Sequence, residues 1–137
     1  MNLEQSSKIY SSNNSIVYNC LYHIIWCTKY RRKVINKEIE KALKTLIIEK
    51  QDEYGYKTIE IETMPDHVHI LISHNPQASI VQTVGKIKGY TSHVLRNSFP
   101  KLKSRIPSLW TRSKFISTCG VVTLEVIKKY IEEQKNR

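Results

Sequence analysis

His67 and His69 stand one residue apart inside Asp66-His67-Val68-His69-Ile70-Leu71-Ile72, an apolar run with strand-like alternation. In an extended chain, residues two apart project from the same face. The imidazoles therefore lie side by side while Val68, Ile70 and Ile72 share the other face. Two neutral imidazoles a few ångströms apart can grip one divalent cation if a further ligand arrives from elsewhere. The same H-x-H pattern also suits two strand histidines that simply face solvent or hydrogen-bonded partners. The surrounding chain has to decide between them.

The elements that must position this pair are legible in the periodicity. Residues 16–27 are dense in Val, Ile, Tyr and Trp and predict a long first strand, with Ile16, Tyr18, Cys20, Tyr22, Ile24 and Trp26 on one face. Asn36 can cap a helix running to about Tyr54, with Ile39, Leu43, Leu46 and Lys50 on one side and Gly55 closing it. Residues 57–64 alternate again, Ile59, Ile61 and Thr63 against Glu60 and Glu62. Pro65-Asp66 then breaks the chain before the histidines, so the two strands read as antiparallel neighbours. If their apolar faces coincide, Glu62 shares the histidine side, as an exposed strand glutamate or as an additional ligand or partner.

A second helix is predicted from about Ala78 to Ser98, with Ile80, Val84, Ile87, Thr91 and Val94 facing the core. Lys86, Gly89, His93 and Arg96 fall on the opposite side as a basic stripe. Gly85 and Gly89 each cost the helix about 1 kcal/mol relative to Ala. They mark either a close approach by nucleic acid or another element, or merely tolerated glycines. A basic linker at 101–107 and a strand at 108–118 containing Trp110 and Phe115 follow. Gly120 ends that strand, Thr123 caps, and a last helix runs over about 124–135. The order predicts an α+β, ferredoxin-like (RRM-like) antiparallel sheet with two covering helices and an extra C-terminal helix across the open face. Residues 1–14, rich in Ser and Asn, read as a flexible tail, and 15–137 as a single domain.

Composition narrows the partner. Lys and Arg number 22 against 12 Asp and Glu, a net charge of +10, which suits a polyanion better than a small neutral substrate. The cluster Lys29, Tyr30, Arg31, Arg32 and Lys33 sets an aromatic among cations. It is either a solvated loop or a site where phosphates are held and a base stacks on Tyr30. Three cysteines, Cys20, Cys27 and Cys119, include no C-x-x-C pair and predict neither disulfides nor a zinc ribbon. No run approaches the roughly 18 apolar residues of a membrane span, and no secretory h-region is present, so a cytoplasmic protein is expected.

On the last helix, Ile127, Tyr130, Ile131 and Gln134 recur at i, i+3, i+4 and i+7 and form one side. A tyrosine in such a stripe is usually a core aromatic. A glutamine there is harder to explain by packing, because a buried amide needs partners. A cation on the histidine strand would provide one for its carbonyl oxygen.

Asp66-His67-Val68-His69-Ile70-Leu71 is followed later by Val126-Ile127-Lys128-Lys129-Tyr130-Ile131-Glu132-Glu133-Gln134. With Tyr22-His23-Ile24-Ile25-Trp26-Cys27-Thr28-Lys29-Tyr30-Arg31-Arg32, Leu109-Trp110 and Phe115-Ile116-Ser117-Thr118, these blocks resemble the small one-tyrosine HUH transposases of single-strand insertion sequences, often called TnpA. The resemblance runs from about Tyr18 to Arg137. It implies that Tyr130 is the nucleophile, that His67, His69 and Gln134 ligate a catalytic Mg²⁺ or Mn²⁺, and that a 5′-phosphotyrosine forms on single-stranded DNA bearing hairpins. It also implies a homodimer with shared active sites. Lys29, Tyr30, Arg31, Arg32 and Lys33, then Lys86, His93 and Arg96, are the expected DNA contacts. The alternatives are a non-catalytic ferredoxin-like binding module, a replication initiator or nickase with the same chemistry, and a domesticated relative acting on chromosomal repeats.

Overall fold

A computed structural model describes residues 11–12, 17–18, 20–118 and 124–136. Most of the expected tail, the Ile16 start of the first strand, Cys119, the Gly120 stop and the Thr123 cap lie outside the described residues. Six strands and five α-helices are ordered β1 (Ser11–Ser12), β2 (Val17–Tyr18), β3 (Leu21–Cys27), α1 (Lys37–Glu49), α2 (Gln51–Tyr54), β4 (Tyr56–Met64), β5 (His67–His74), α3 (Ile80–Ser98), α4 (Lys101–Arg105), β6 (Phe115–Thr118) and α5 (Leu124–Glu133). Two 3₁₀ turns, Lys29–Arg31 and Gln134–Asn136, complete the set.

The main sheet has the order β4-β5-β3-β6, every neighbour antiparallel. Counted by its own four strands this is 2-3-1-4, the ferredoxin-like arrangement predicted from the sequence. Ile24, Trp26, Val68, Ile70 and Ile72 project from one face into the core, where they meet Ile39, Leu43 and Ile47 of α1 and Val84, Ile87 and Leu95 of α3. The Asn36 side chain accepts the Ile39 N–H at 2.9 Å and starts α1. Gly55, at φ +78°, ends α2 in the left-handed region that glycine enters without a steric penalty.

Several expectations give way to local structure, among them the single helix from Asn36 to about Tyr54, which divides at Lys50 into α1 and α2. The first strand is not continuous over 16–27: β2 pairs with β1 in a separate two-stranded sheet, and β3 begins only at Leu21. Ile59 does not join Ile61 on the core side, because a bulge between Thr58 and Glu60 shifts the register and leaves Ile59 exposed. Residues 108–118 do not form one strand. Trp110 makes an isolated bridge to Thr28 and buries its ring edge-on against Trp26 at 5.8 Å, and β6 starts at Phe115. Part of the supposed linker before it is the short helix α4, which buries Leu102.

Candidate active site

The histidine strand lies one strand in from the sheet edge. Register places Glu62, His69, Ile25 and Phe115 in one row across β4, β5, β3 and β6. Directly paired residues share a face, so this row stands on the side opposite the helix-covered core. His67 pairs with Cys27 and Met64 in the next row of that same face. Ile25 and Cys27 are fully buried although they point away from α1 and α3. The Tyr130 ring packs on Phe115 with centroids 5.3 Å apart, which sets α5 over the histidine face, as expected of the terminal helix. Phe115 is two strand spacings from His69, roughly 10 Å.

His67 is oriented by its neighbour. Its Nδ1 lies 2.8 Å from Asp66 Oδ1. Burial pushes the Asp66 pKa up, but hydrogen bonds from His67 and Arg31 and the Arg31 charge outweigh it and hold the carboxyl below its ordinary value. An ionised carboxylate only accepts, so Nδ1 carries a proton and Nε2 is the ring nitrogen left free to face a ligand. His69 sits against His23, with Nε2 3.0 Å from His23 Nδ1, and its own Nδ1 is 3.9 Å from Glu62 Oε2. Burial, then the neighbouring His23, lowers the His69 pKa against the opposing pull of Glu62, which favours the neutral form that binds metals. Cys27 lies beside His67 in register and is fully buried, and burial and then the Asp66 charge push its thiol up to about 11.

Arg31, expected among the DNA contacts, is turned inward. Its guanidinium grips Asp66 Oδ2 through Nε at 3.0 Å and Nη2 at 2.9 Å, and Nη1 reaches Glu132 Oε2 at 3.5 Å. One side chain thus ties the residue before His67 to the helix that carries Tyr130. Tyr30 and Arg31 adopt φ of 57° and 51°, a left-handed conformation that non-glycine residues rarely hold. The surroundings enforce it. Thr28 N–H donates to Asp66 O at 3.0 Å, Lys29 N–H to Leu109 O at 2.9 Å and Ile35 N–H to Pro65 O at 3.0 Å, clamping the segment to the β4-β5 turn.

Gln134 is 2 % exposed, and its Oε1 is a buried acceptor with no hydrogen-bond partner among the described residues. Such an atom costs free energy unless something supplies a positive charge or a proton. No three His, Cys, Asp or Glu side chains gather at metal-binding distance among the described residues. A buried amide oxygen of this kind can be satisfied by a proton donor or by a cation.

The remaining expected contacts divide. Tyr30 is 48 % exposed with Lys29 Nζ 5.1 Å from its ring centroid, and Arg32 and Lys33 are exposed. On α3, Lys86 and His93 are exposed, but Arg96 donates to the Ile106 carbonyl at 3.1 Å. Sequence reasoning gave no role to His23, Asp66, Phe115 or Glu132. The D-H-x-H adjacency and the row of alternating residues on β3 carried a signal for the first two. Phe115 and Glu132 needed the register and the helix placement.

A family model described as "Transposase IS200 like" matches residues 16–134. The chain belongs to the IS200-like transposase family. This transposase is 37 % identical over 123 residues to the ISDra2 transposase TnpA of Deinococcus radiodurans, covering 88 % of each chain. It is 31 % identical to the IS200 transposase of Salmonella typhimurium, over 86 % of this chain and 81 % of that one. A crystal structure of a Deinococcus radiodurans protein described as a transposase superposes with a TM-score of 0.84 at 33 % identity, over 93 % of this chain and 99 % of the other. A REP-associated tyrosine transposase bound to a REP hairpin shares the fold, with a TM-score of 0.57 at 10 % identity, over 89 % of this chain and 68 % of that one. Family membership places the chain among DNA transposases, whereas the ferredoxin-like fold alone would not separate these from binding modules. Among its described residues, no helix is long and apolar enough to cross a membrane.

Proposed function

We propose that this transposase cleaves and rejoins single-stranded, hairpin-containing element ends through a 5′-phosphotyrosine on Tyr130, with His67, His69 and Gln134 holding a divalent cation, and that it works as a homodimer with shared active sites. The observation that carries the reading is the Gln134 carbonyl oxygen, buried without a hydrogen-bond partner four residues beyond a tyrosine that packs over the histidine face.

The residues divide the work. Tyr130 Oη attacks the scissile phosphorus, forming the tyrosyl–phosphate bond as the bond to the 3′ oxygen breaks. The phenolic proton leaves to solvent and the departing 3′ oxygen takes up a proton, so one phosphodiester replaces another and no external energy source is needed. Attack on the phosphotyrosine by the 3′-OH of a second strand reverses the balance and joins the new ends. A free phenol, with a pKa about 10, is a weak nucleophile at neutral pH; Mg²⁺ or Mn²⁺ at His67, His69 and Gln134 would neutralise charge on the phosphate and its leaving oxygen. Asp66 fixes the His67 tautomer, and Arg31 fixes Asp66. The exposed Arg32 and Lys33, with the half-buried Lys29 beside them, supply sequence-independent phosphate attraction. A hairpin is the substrate form to test because the same fold occurs in a tyrosine transposase solved on one.

The test uses labelled DNA copied from the flanks of the transposase's own gene, offered single-stranded and as duplex with Mn²⁺. Cleavage of the single strand alone, abolished by chelation, is the expected result. Cleavage of duplex alone, or cleavage indifferent to chelation, sinks the reading.

A further inference from the structure

Away from the histidine face, α3 and the segment leading to β6 enclose a notch of about 310 Å³. Gly85, Lys88, Gly89 and Ser92, at i, i+3, i+4 and i+7, form one wall; Arg112 and Lys114 belong to the other. Lys88 was not foreseen in the sequence as anything but a helix residue. It is 92 % buried, with Nζ donating to Thr111 O at 2.6 Å and to Ser113 O at 3.0 Å. An ammonium has three donors, and no third acceptor is found for it among the described residues. No carboxylate lies within ion-pair distance of Lys88, Arg112 or Lys114 among the described residues either.

A buried charge with no counter-ion is costly, and proteins normally pair it. Holding the 111–113 loop explains two N–H groups of Lys88, but not two more cations around the same notch. Nor does it explain the glycines. A Cβ built on Gly85 or Gly89 meets nothing within 4 Å, so the chain's own packing does not require either glycine, though each weakens the helix. Lys88, with the exposed Arg112 and the half-buried Lys114 beside it and no side chain on Gly85 or Gly89, forms a cationic opening for an anion that arrives with its own bulk.

We infer that this notch seats a backbone phosphate of the single-stranded DNA leading to the cleavage site, with Lys88, Arg112 and Lys114 as its contacts. The inference rests on the proposed single-strand activity and adds a second anchoring point for that strand. Connectivity supports it. Lys114 directly precedes Phe115, on which Tyr130 packs, and Trp110 bridges to Thr28, whose N–H holds Asp66. Burial, and then the Lys114 charge, bring the Lys88 pKa down to about 8, and a seated phosphate would raise it again.

The experiment measures binding of the full chain to a fluorescent single-stranded oligonucleotide from the flank of its own gene over a salt series, for wild type, Lys88→Met and Gly89→Leu. Lys88→Met should bind about tenfold more weakly, with a log–log salt slope shallower by about one. Gly89→Leu should raise the melting temperature, since leucine favours helix, yet still lose affinity by filling the notch. A merely structural Lys88 predicts the same gain in stability for Gly89→Leu but unchanged binding. If Lys88→Met fails to fold, Gly89→Leu decides alone. Folded variants with wild-type affinity and slope overturn the notch and leave the proposed function standing. A wild type that binds no single strand overturns both.

Discussion

At the scale of single residues, Arg31 changes the account most. The run Lys29 to Lys33 reads in sequence as one basic patch, because charge and spacing do not reveal which cation turns inward. The left-handed φ of Tyr30 and Arg31 separates them, aiming Arg31 at Asp66 while Arg32 stays exposed. The two arginines should therefore fail differently. Arg31→Ala frees Asp66 and with it His67, so Mn²⁺ affinity should fall roughly 10- to 100-fold, read as a shifted midpoint in a Mn²⁺ thermal titration, with single-strand binding little changed. Arg32→Ala should leave that midpoint alone and make the salt slope of DNA binding shallower. Equal effects of the two substitutions on metal and DNA would remove Arg31 from the orienting role. That His67 and His69 share the face opposite the core was legible from alternation. Their partners Asp66 and His23 were only signalled, by the D-H-x-H adjacency and the alternation on β3, because hydrogen bonds of an imidazole depend on rotamer and register that no local pattern specifies.

At the scale of elements, the helices were the most legible features. Their boundaries rest on short-range chemistry: Asn36 accepting from Ile39, Ser79 accepting from Gln82 and Gly55 at positive φ. Removing the first of these, Asn36→Ala, should cost about 1 kcal/mol, and Leu43→Ala inside α1 about 2–5 kcal/mol, both measurable by urea unfolding. A loss at Leu43 no larger than at Asn36 would mean that α1 does not carry the core as described. Strands read less well because tertiary pairing overrides alternation. The bulge at Ile59 inserts a residue with no partner on β5, and the break between Trp110 and Phe115 leaves only an isolated bridge from Trp110 to Thr28, just past the end of β3. Lys88 escaped notice for a related reason. A helix position is read as core or surface from its apolar neighbours, and a lysine that buries itself to reach loop carbonyls breaks that rule.

At the scale of the whole molecule, two titrating histidines link the fold to pH. Burial holds the His74 pKa below its ordinary 6.5, with the ring Nε2 2.7 Å from Thr83 Oγ1, and burial first also lowers His69. In the unfolded chain each takes up a proton near 6.5. Between that value and the lower folded one, the unfolded state holds more protons. Their contribution to stability is thus complete above about pH 6.5 and declines as pH falls through the window below it. The melting temperature measured in chelator should drop between about pH 7.5 and 5.5, and His74→Gln should flatten part of that drop. A flat wild-type profile would contradict the buried, neutral assignment. Charge acts over the same whole surface: at +10, attraction for any nucleic acid is expected, so affinity by itself says little about function. Covalent chemistry is more discriminating, because it requires the histidine strand, the terminal helix and the cation together. The measurement is a denaturing gel of wild type and Tyr130→Phe incubated with Mn²⁺ and labelled single-stranded DNA from the element's end. A protein–DNA adduct that needs the metal and vanishes in Tyr130→Phe is the predicted result. An adduct that persists in Tyr130→Phe would assign the nucleophile elsewhere, and no adduct from a wild type that binds the strand tightly would contradict the phosphotyrosine mechanism altogether.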